Sequence, residues 1–177
     1  MAKARNLAQL KSELPIVGYS VTYLGGVLGM IEAYVGEDRF REGVRLHMKR
    51  FANGVATSDD FFKSLAEGAK APEIADALRS FTDQPNAPLV TATRECRDNK
   101  PVIKLSQSTY RPLGSTLPDR QWTIPICVTA TAANGAPDRA CILMREPAAE
   151  LALPQASCSV PSSRRQTPSL PPPLQTA

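Results

Sequence analysis

Tyr23 is the first residue whose surroundings suggest chemistry. It stands in the stretch V-T-Y-L-G-G-V-L-G-M (21–30), immediately before an apolar run that predicts a helix. A tyrosine at the start of a helix can be an ordinary packing residue, with its ring buried and its hydroxyl near water. The alternative is that this hydroxyl belongs to an active site. Local sequence alone leaves both interpretations open.

Histidine and cysteine supply the other reactive side chains. The only histidine, His47, lies between Leu46 and Met48 on an amphipathic helix, which predicts a solvent-facing or partly packed ring rather than a metal ligand. No C-x-x-C pair exists, which disfavours a zinc knuckle or a redox dithiol. The sequence favours buried free thiols, with one disulfide as the alternative if a parent protein is exported. The four cysteines are Cys96, Cys127, Cys141 and Cys158.

The composition favours a folded protein with a core. Of the 177 residues, 42% are hydrophobic and 21% are charged, and the net charge is +4. The basic residues are interleaved with acidic ones, as in E-D-R-F-R-E (37–42), so nucleic-acid binding is not expected. No apolar run reaches the roughly 18 residues of a membrane span. No apolar signal core follows the basic N-terminus, so the expected location defaults to the cytoplasm.

Helical periodicity extends over residues 26–81. An apolar stripe beginning at Val27 ends at Gly36, which occupies a C-cap position. The next helix places Phe40, Val44, Met48 and Phe51 on its predicted core side. Thr57 and Asp60 have the spacing of a capping arrangement for a third helix. Pro72 suits the first turn of a fourth, whose predicted core positions are Ile74, Ala77, Leu78 and Phe81.

The periodicity falls to two after the prolines at positions 85 and 88. Four or five short strands predict a small antiparallel sandwich, and Pro125 inside one strand favours an edge or a bulge. The predicted fold class is α+β, a helical array followed by a partial antiparallel β-sandwich. Residues 1–82 form the helical part and 83–153 the incomplete sandwich. Residues 154–177 form a disordered tail rich in proline and serine.

Two segments resemble the zinc aminopeptidases of the alanyl and puromycin-sensitive type, which have a thermolysin-like catalytic domain. The first segment, residues 30–69, is similar to that family's L-G-E-x-x-F-x-x-G-V-R helix, N-A-T-S/T turn and D-x-F/W. Its sequence is MIEAYVGEDRFREGVRLHMKRFANGVATSDDFFKSLAEGA. FTDQPNAPLV (81–90) is similar to its W-T-x-Q-x-G-x-P-x-V passage from catalytic domain to sandwich. The resemblance covers about residues 19–153, and it implies that 1–82 are the end of a catalytic domain.

The resemblance gives Tyr23 a specific role. A Y-x-K-G-G/A motif opens the corresponding family helix, and its tyrosine hydroxyl stabilises the oxyanion formed at the scissile carbonyl. Tyr23 is the matching position. Leu24 and Gly25 follow it without the family's lysine, and the stretch to Met30 is about two residues shorter. Because two residues rotate a helix by about 200°, the packing interpretation of Tyr23 stays open.

The family's metal site has no counterpart in this sequence. Members bind zinc through H-E-x-x-H and a further glutamate, but this chain has one histidine and no such motif. The resemblance therefore implies a fragment of a peptide-trimming aminopeptidase that binds no zinc and is inactive alone. Its substrates would be peptide N-termini, and a separate N-terminal half its missing partner. The alternatives are a non-enzymatic binding module, including one that complements such a half, and an unrelated protein with chance motif matches.

Overall fold

Helices precede strands along the chain in the computed structural model, which describes residues 24–116, 118–132, 134–154, 156 and 158. The first helix, α1, covers 24–35 of these residues. The next three are α2 (Glu37–Arg50), α3 (Ser58–Gly68) and α4 (Glu73–Thr82). Among the described residues, no helix combines the length and the apolar character that crossing a bilayer requires.

Helix α1 is fixed by one buried stripe. Val27, Ile31 and Val35 follow each other at intervals of four and are at most 7% exposed, so they share one face of the helix. The helix ends at Gly36, whose φ of 92° lies in the left-handed region that glycine adopts without strain. The predicted stop at Gly36 is confirmed, and α2 begins at the next residue.

Helix α2 packs differently from the prediction. Its one buried residue is Gly43, and the predicted core residue Met48 is 64% exposed. The close contact at Gly43 sets the rotation of α2. This rotation brings His47, one turn further on, to α3 and leaves Met48 outside. The assignment of Met48 to the core is wrong because the sequence pattern did not reveal a glycine at the helix contact.

Helices α3 and α4 form as their terminal residues predict. The Thr57 hydroxyl accepts the backbone N–H of Asp60 at 3.2 Å, and the Asp60 carboxylate accepts the backbone N–H of Thr57 at 2.9 Å. This reciprocal pair is the predicted capping box of α3. Pro72 occupies the N-cap of α4, directly before its first turn. All four predicted core residues of α4 are buried: Ile74, Ala77, Leu78 and Phe81.

The strands form two antiparallel sheets. Strands β1 (Pro88–Arg97), β2 (Lys100–Thr109) and β5 (Ala148–Ala152) form one sheet in the order β1-β2-β5. Strands β3 (Ile124–Thr131) and β4 (Pro137–Met144) form the other. Among the described strands, β3 pairs with β4 alone, so Pro125 lies on an edge strand, one of the two positions that its missing N–H predicted.

One apolar core joins the helices and both sheets. Ile31 of α1, Leu105 of β2 and Met144 of β4 belong to the same buried cluster, together with Trp122. Polar contacts cross the same boundary, because the Gln84 side chain donates to the Ser80 and Gln121 carbonyls, both at 2.8 Å. The helical array and the strands are therefore packed on each other rather than joined only by the chain.

The cysteines correct the preferred sequence interpretation. All four are paired, as Cys96–Cys158 and Cys127–Cys141, and none of them is fully buried. The expectation of buried free thiols is wrong because Cys127 and Cys141 face each other in the register of β3 and β4. Cys158 and the buried Ala156 lie within the segment predicted as a tail, yet both contact the strands. Residues 159–177 lie outside the described part of the chain.

Candidate functional site

Tyr23, the predicted catalytic residue, lies outside the described residues. In the sequence it immediately precedes α1, so α1 is the described element next to it. The helix is anchored by Val27, which is 2% exposed and is the first buried residue of its stripe. The catalytic role of Tyr23 stays a prediction.

The start of α1 carries three exposed glycines. A Cβ placed on Gly25, Gly26 or Gly29 would have no atom of the described residues within 4 Å. The other end of the helix is held by the strands, because Arg139 of β4 donates a hydrogen bond to the Ala33 carbonyl. Within the described part of the chain, the first turns of α1 therefore leave room for another protein segment to approach the backbone closely.

His47 is a packing residue. Its ring centroid lies 5.0 Å from those of Phe51 and Phe61, edge-on to the latter, and its Nδ1 is 3.4 Å from the Ser64 hydroxyl oxygen. Ser64 in turn donates a 2.7 Å hydrogen bond to the Asp60 carbonyl of its own helix. The ring is thus one side of the contact between α2 and α3, as the partly packed interpretation predicted.

The described residues do not fit a zinc ion. Among them, no group of three or more histidine, cysteine, aspartate or glutamate side chains could hold a metal. The only histidine packs against aromatic rings, and the four cysteines are consumed in disulfides. The arrangement therefore offers neither the ligands nor the open coordination position of a catalytic zinc site.

A charged cluster joins α3 to α4. Asp59 accepts hydrogen bonds from Lys63 at 2.6 Å and from the Arg79 Nε at 2.9 Å, and Arg79 also reaches Asp76 at 3.1 Å. The hydrogen bonds from Lys63 and then Arg79 lower the pKa of Asp59. The bond to Asp59 raises the pKa of Arg79. Both shifts move the pKa further from neutral pH, so the cluster is suited to holding helices together rather than to moving protons.

A groove lies beside this cluster, with a volume of about 400 Å³. Its lining combines an apolar floor with charged groups of both signs: Lys63, Ala66, Glu67, Lys70, Pro72, Ala75, Asp76 and Arg79. Several of its charged groups already have partners within the chain, including Lys63 with Asp59 and Glu67 with Arg50. The groove therefore has no strong net preference for a charged ligand.

Gln107 of β2 is a buried side chain with three hydrogen bonds. Its amide nitrogen donates to the Trp122 and Glu146 carbonyls, both at 3.0 Å, and its oxygen accepts the Trp122 N–H at 2.9 Å. Gln107 therefore ties the two segments that flank the β3–β4 hairpin to β2. A polar residue at a position that should face the core was the only signal available in the sequence.

No family model matches this chain. It is 32% identical over 112 residues to a probable M1 family aminopeptidase 1 of Encephalitozoon cuniculi, covering 62% of this chain and 12% of that protein. It is 28% identical over 120 residues to a puromycin-sensitive aminopeptidase of Caenorhabditis elegans, covering 66% of this chain and 13% of that protein. An aminopeptidase M1 of Arabidopsis thaliana is 26% identical over 117 residues, again covering 65% and 13%.

These relatives confirm the resemblance to the aminopeptidase family. The matched region covers about two thirds of this chain, but it spans only 12–13% of the length of these relatives. The chain is therefore similar to one short segment of these aminopeptidases.

Proposed function

We propose that this chain, whose homologues are M1 family aminopeptidases, supplies a non-zinc-binding part of a peptide-trimming enzyme. In this proposal, α1–α4 are the end of a thermolysin-like catalytic domain and the strands begin the sandwich that follows it. The observation that carries the proposal is the similarity to several aminopeptidases over about two thirds of this chain.

Tyr23 would be this chain's contribution to the reaction. Its hydroxyl would donate a hydrogen bond to the oxygen of the scissile carbonyl as negative charge develops there. A donor of this kind is effective only if it is held in place before the reaction. The buried residues Val27 and Ile31 support this role, because they anchor the helix that Tyr23 precedes.

The zinc chemistry of the family would have to come from outside the described residues. Those residues hold no suitable ligand set, and the whole sequence has a single histidine. The chain alone should therefore be inactive. The peptide N-terminus and the metal would be bound mainly by the remainder of an aminopeptidase.

A second candidate function is that of a binding module that complements a separately encoded catalytic part. Two features favour it: the exposed glycines at the start of α1, and the outer edge of β3, which has no partner strand among the described residues. The two functions differ in whether complementation restores catalysis or only produces a complex.

The cytoplasmic location stays a prediction. Two disulfides argue for an oxidising compartment, since cytosolic thiols are generally kept reduced. Trapping of the thiols in living cells, followed by mass spectrometry, would decide between the two. Alkylated cysteines would support the reducing location, and intact disulfides would contradict it.

The first experiment measures zinc content and hydrolysis of an aminoacyl arylamide by the purified chain. We expect no stoichiometric zinc and no hydrolysis. Hydrolysis that a chelator abolishes would show that the chain contains its own metal site, and the proposal would then be wrong.

The second experiment mixes the chain with the zinc-bearing part of a homologous aminopeptidase that lacks the matching segment. We expect restored hydrolysis. Tyr23→Phe should lower kcat by about 10²- to 10³-fold, the usual effect of removing one oxyanion donor. Tyr110→Phe is the matched control, because Tyr110 is exposed beyond β2. Complex formation without hydrolysis would favour the binding module, and equal rates for both variants would exclude the role of Tyr23.

A further inference from the structure

Three described residues that follow β5 contact both sheets. We call Leu153, Ala156 and Cys158 the strap. The Leu153 N–H donates to the Pro101 carbonyl at 3.1 Å, and the Cys158 N–H donates to the Asn99 carbonyl at 3.2 Å. Both acceptors belong to the β1–β2 hairpin, so the strap extends the side of β2 that pairs with β5.

The middle of the strap is attached to the other sheet. The Ala156 N–H donates to the Asp138 carboxylate at 2.8 Å, and Ala156 forms a bridge with Ala132. Leu153 is 1% exposed and Ala156 is 5% exposed, so both contribute to the core shared by the two sheets. The strap therefore adds two apolar side chains to this core and contacts both sheets.

One covalent bond holds the far end of the strap. Cys158 is joined to Cys96 of β1 across a sequence separation of 62. Cys158 also makes two hydrogen bonds with described residues: its N–H donates to Asn99, an exposed turn residue, and its carbonyl accepts from Arg94 at 3.3 Å. Among these contacts with described residues, the disulfide is the covalent one, and the two hydrogen bonds are within reach of water.

The second disulfide, Cys127–Cys141, does not link distant parts of the chain. Cys127 and Cys141 are directly opposite each other in adjacent strands, and their sequence separation is only 14. The β3–β4 hairpin is paired over eight positions on its own, so this bond reinforces contacts that the backbone already makes.

We propose that the Cys96–Cys158 bond is a thiol–disulfide exchange site, and that its reduction by a dithiol releases the strap from the core. Cys96 is exposed and Cys158 is half-buried, which favours attack at the Cys96 sulfur. The attacking thiolate forms a mixed disulfide with Cys96, and Cys158 leaves as a thiolate. The second thiol of the reductant then displaces Cys96. The dithiol is oxidised by two electrons, and its two protons pass to the two cysteines.

Release of the strap would change the surroundings of two specific residues, Asp138 and Leu153. Asp138 would lose the backbone N–H of Ala156, and the core position of Leu153 would become accessible to water. Reoxidation would restore both. This inference concerns the sandwich alone and holds whether or not the chain assists peptide hydrolysis.

The test is amide hydrogen exchange of the full chain, oxidised and after treatment with dithiothreitol, with alkylation to map the reduced cysteines. We expect reduction to accelerate exchange at Leu153 and Ala156 by about ten-fold or more, with little change in the β1–β2 pairing. Oxidised glutathione should reverse the effect. Unchanged exchange at these two residues after complete reduction would overturn the proposal.

Two double variants separate the disulfides. Without reductant, Cys127→Ser/Cys141→Ser should retain the slow exchange of the oxidised strap, and Cys96→Ser/Cys158→Ser should show the fast exchange of the reduced one. Fast strap exchange in the oxidised Cys127→Ser/Cys141→Ser protein would contradict the proposal. If Cys96→Ser/Cys158→Ser does not fold, the oxidised and reduced wild-type proteins still provide the decisive comparison.

Discussion

Gly43 of α2 and Gly68 at the end of α3 lie in direct backbone contact. A Cβ placed on Gly68 would stand 2.5 Å from the Gly43 Cα, and one placed on Gly43 would stand 2.7 Å from the Leu65 carbonyl oxygen. Real Cβ atoms do not approach backbone so closely. Nearby, Arg39 donates to the Ala69 carbonyl at 2.6 Å, which satisfies an acceptor at the end of α3.

Replacing Gly43 by alanine should therefore destabilise the protein. Helix propensity alone would make Gly43→Ala stabilising by about 1 kcal/mol. The clash with backbone atoms should reverse the sign and lower the free energy of unfolding by about 1–3 kcal/mol. Urea unfolding followed by circular dichroism measures this difference.

Gly29→Ala is the matched control for Gly43→Ala. Gly29 lies in α1, and a Cβ there would meet no atom of the described residues within 4 Å. This variant should gain about 0.5–1 kcal/mol from propensity. If both variants were stabilised alike, α2 and α3 could not be in the close contact described.

Much of the helical array could be predicted because local signals and packing agree. The glycine at position 36, the Thr57–Asp60 capping box and the apolar spacing of α4 each point to the observed structure. Met48 was misplaced because periodicity identifies large apolar residues and gives no weight to Gly43. A close helix contact is made by a residue without a side chain, so hydrophobic patterning does not detect it.

The strands show a different limit. β5 (Ala148–Ala152) has the sequence A-A-E-L-A, without β-branched or aromatic residues, and was not identified as a specific strand. It pairs because β2 offers it a complementary edge. The disulfide pairing could not be predicted from the sequence either, since Cys96 and Cys158 are 62 residues apart and are brought together by the fold. The candidate catalytic residue Tyr23 came from family resemblance, and the described geometry adds the anchoring of its helix.

Gln107 should be essential for joining β2 to the β3–β4 hairpin. Gln107→Leu keeps the size of the side chain but leaves the buried backbone N–H and carbonyl of Trp122 without their partner, at about 1–3 kcal/mol for each unpaired group. We expect a loss of unfolding free energy and a red shift in emission. Trp122 is the only tryptophan and is 1% exposed, so its fluorescence reports this region directly.

The same substitution at Gln84 provides the control for Gln107→Leu. Gln84 also donates two hydrogen bonds to carbonyls, but it is only half-buried, so water can replace the lost donors. Gln84→Leu should therefore be clearly less destabilising. Equal losses would indicate that burial of the Gln107 network is not what makes it important.

Asp59 should make stability depend on pH in the acidic range. Because the folded state lowers the pKa of Asp59 from its usual value of 3.8, the unfolded chain binds the proton more readily. The contribution of Asp59 is therefore fully present above pH 3.8 and is lost as pH falls through the folded pKa. Asp59→Asn should flatten this part of the stability profile, measured by urea unfolding from pH 5 downward. An unchanged decline in the variant would show that other carboxylates cause it.

The two disulfides should differ in their contribution to global stability. A cross-link stabilises mainly by restricting the unfolded chain, and this effect grows with the length of the closed loop. The separations of 62 and 14 residues correspond to about 4 and about 3 kcal/mol respectively. Cys96→Ser/Cys158→Ser should therefore lower the free energy of unfolding more than Cys127→Ser/Cys141→Ser, with urea unfolding of both oxidised variants as the measurement. The reverse order would mean that contacts within the β3–β4 hairpin depend on their disulfide more than the strap depends on its own.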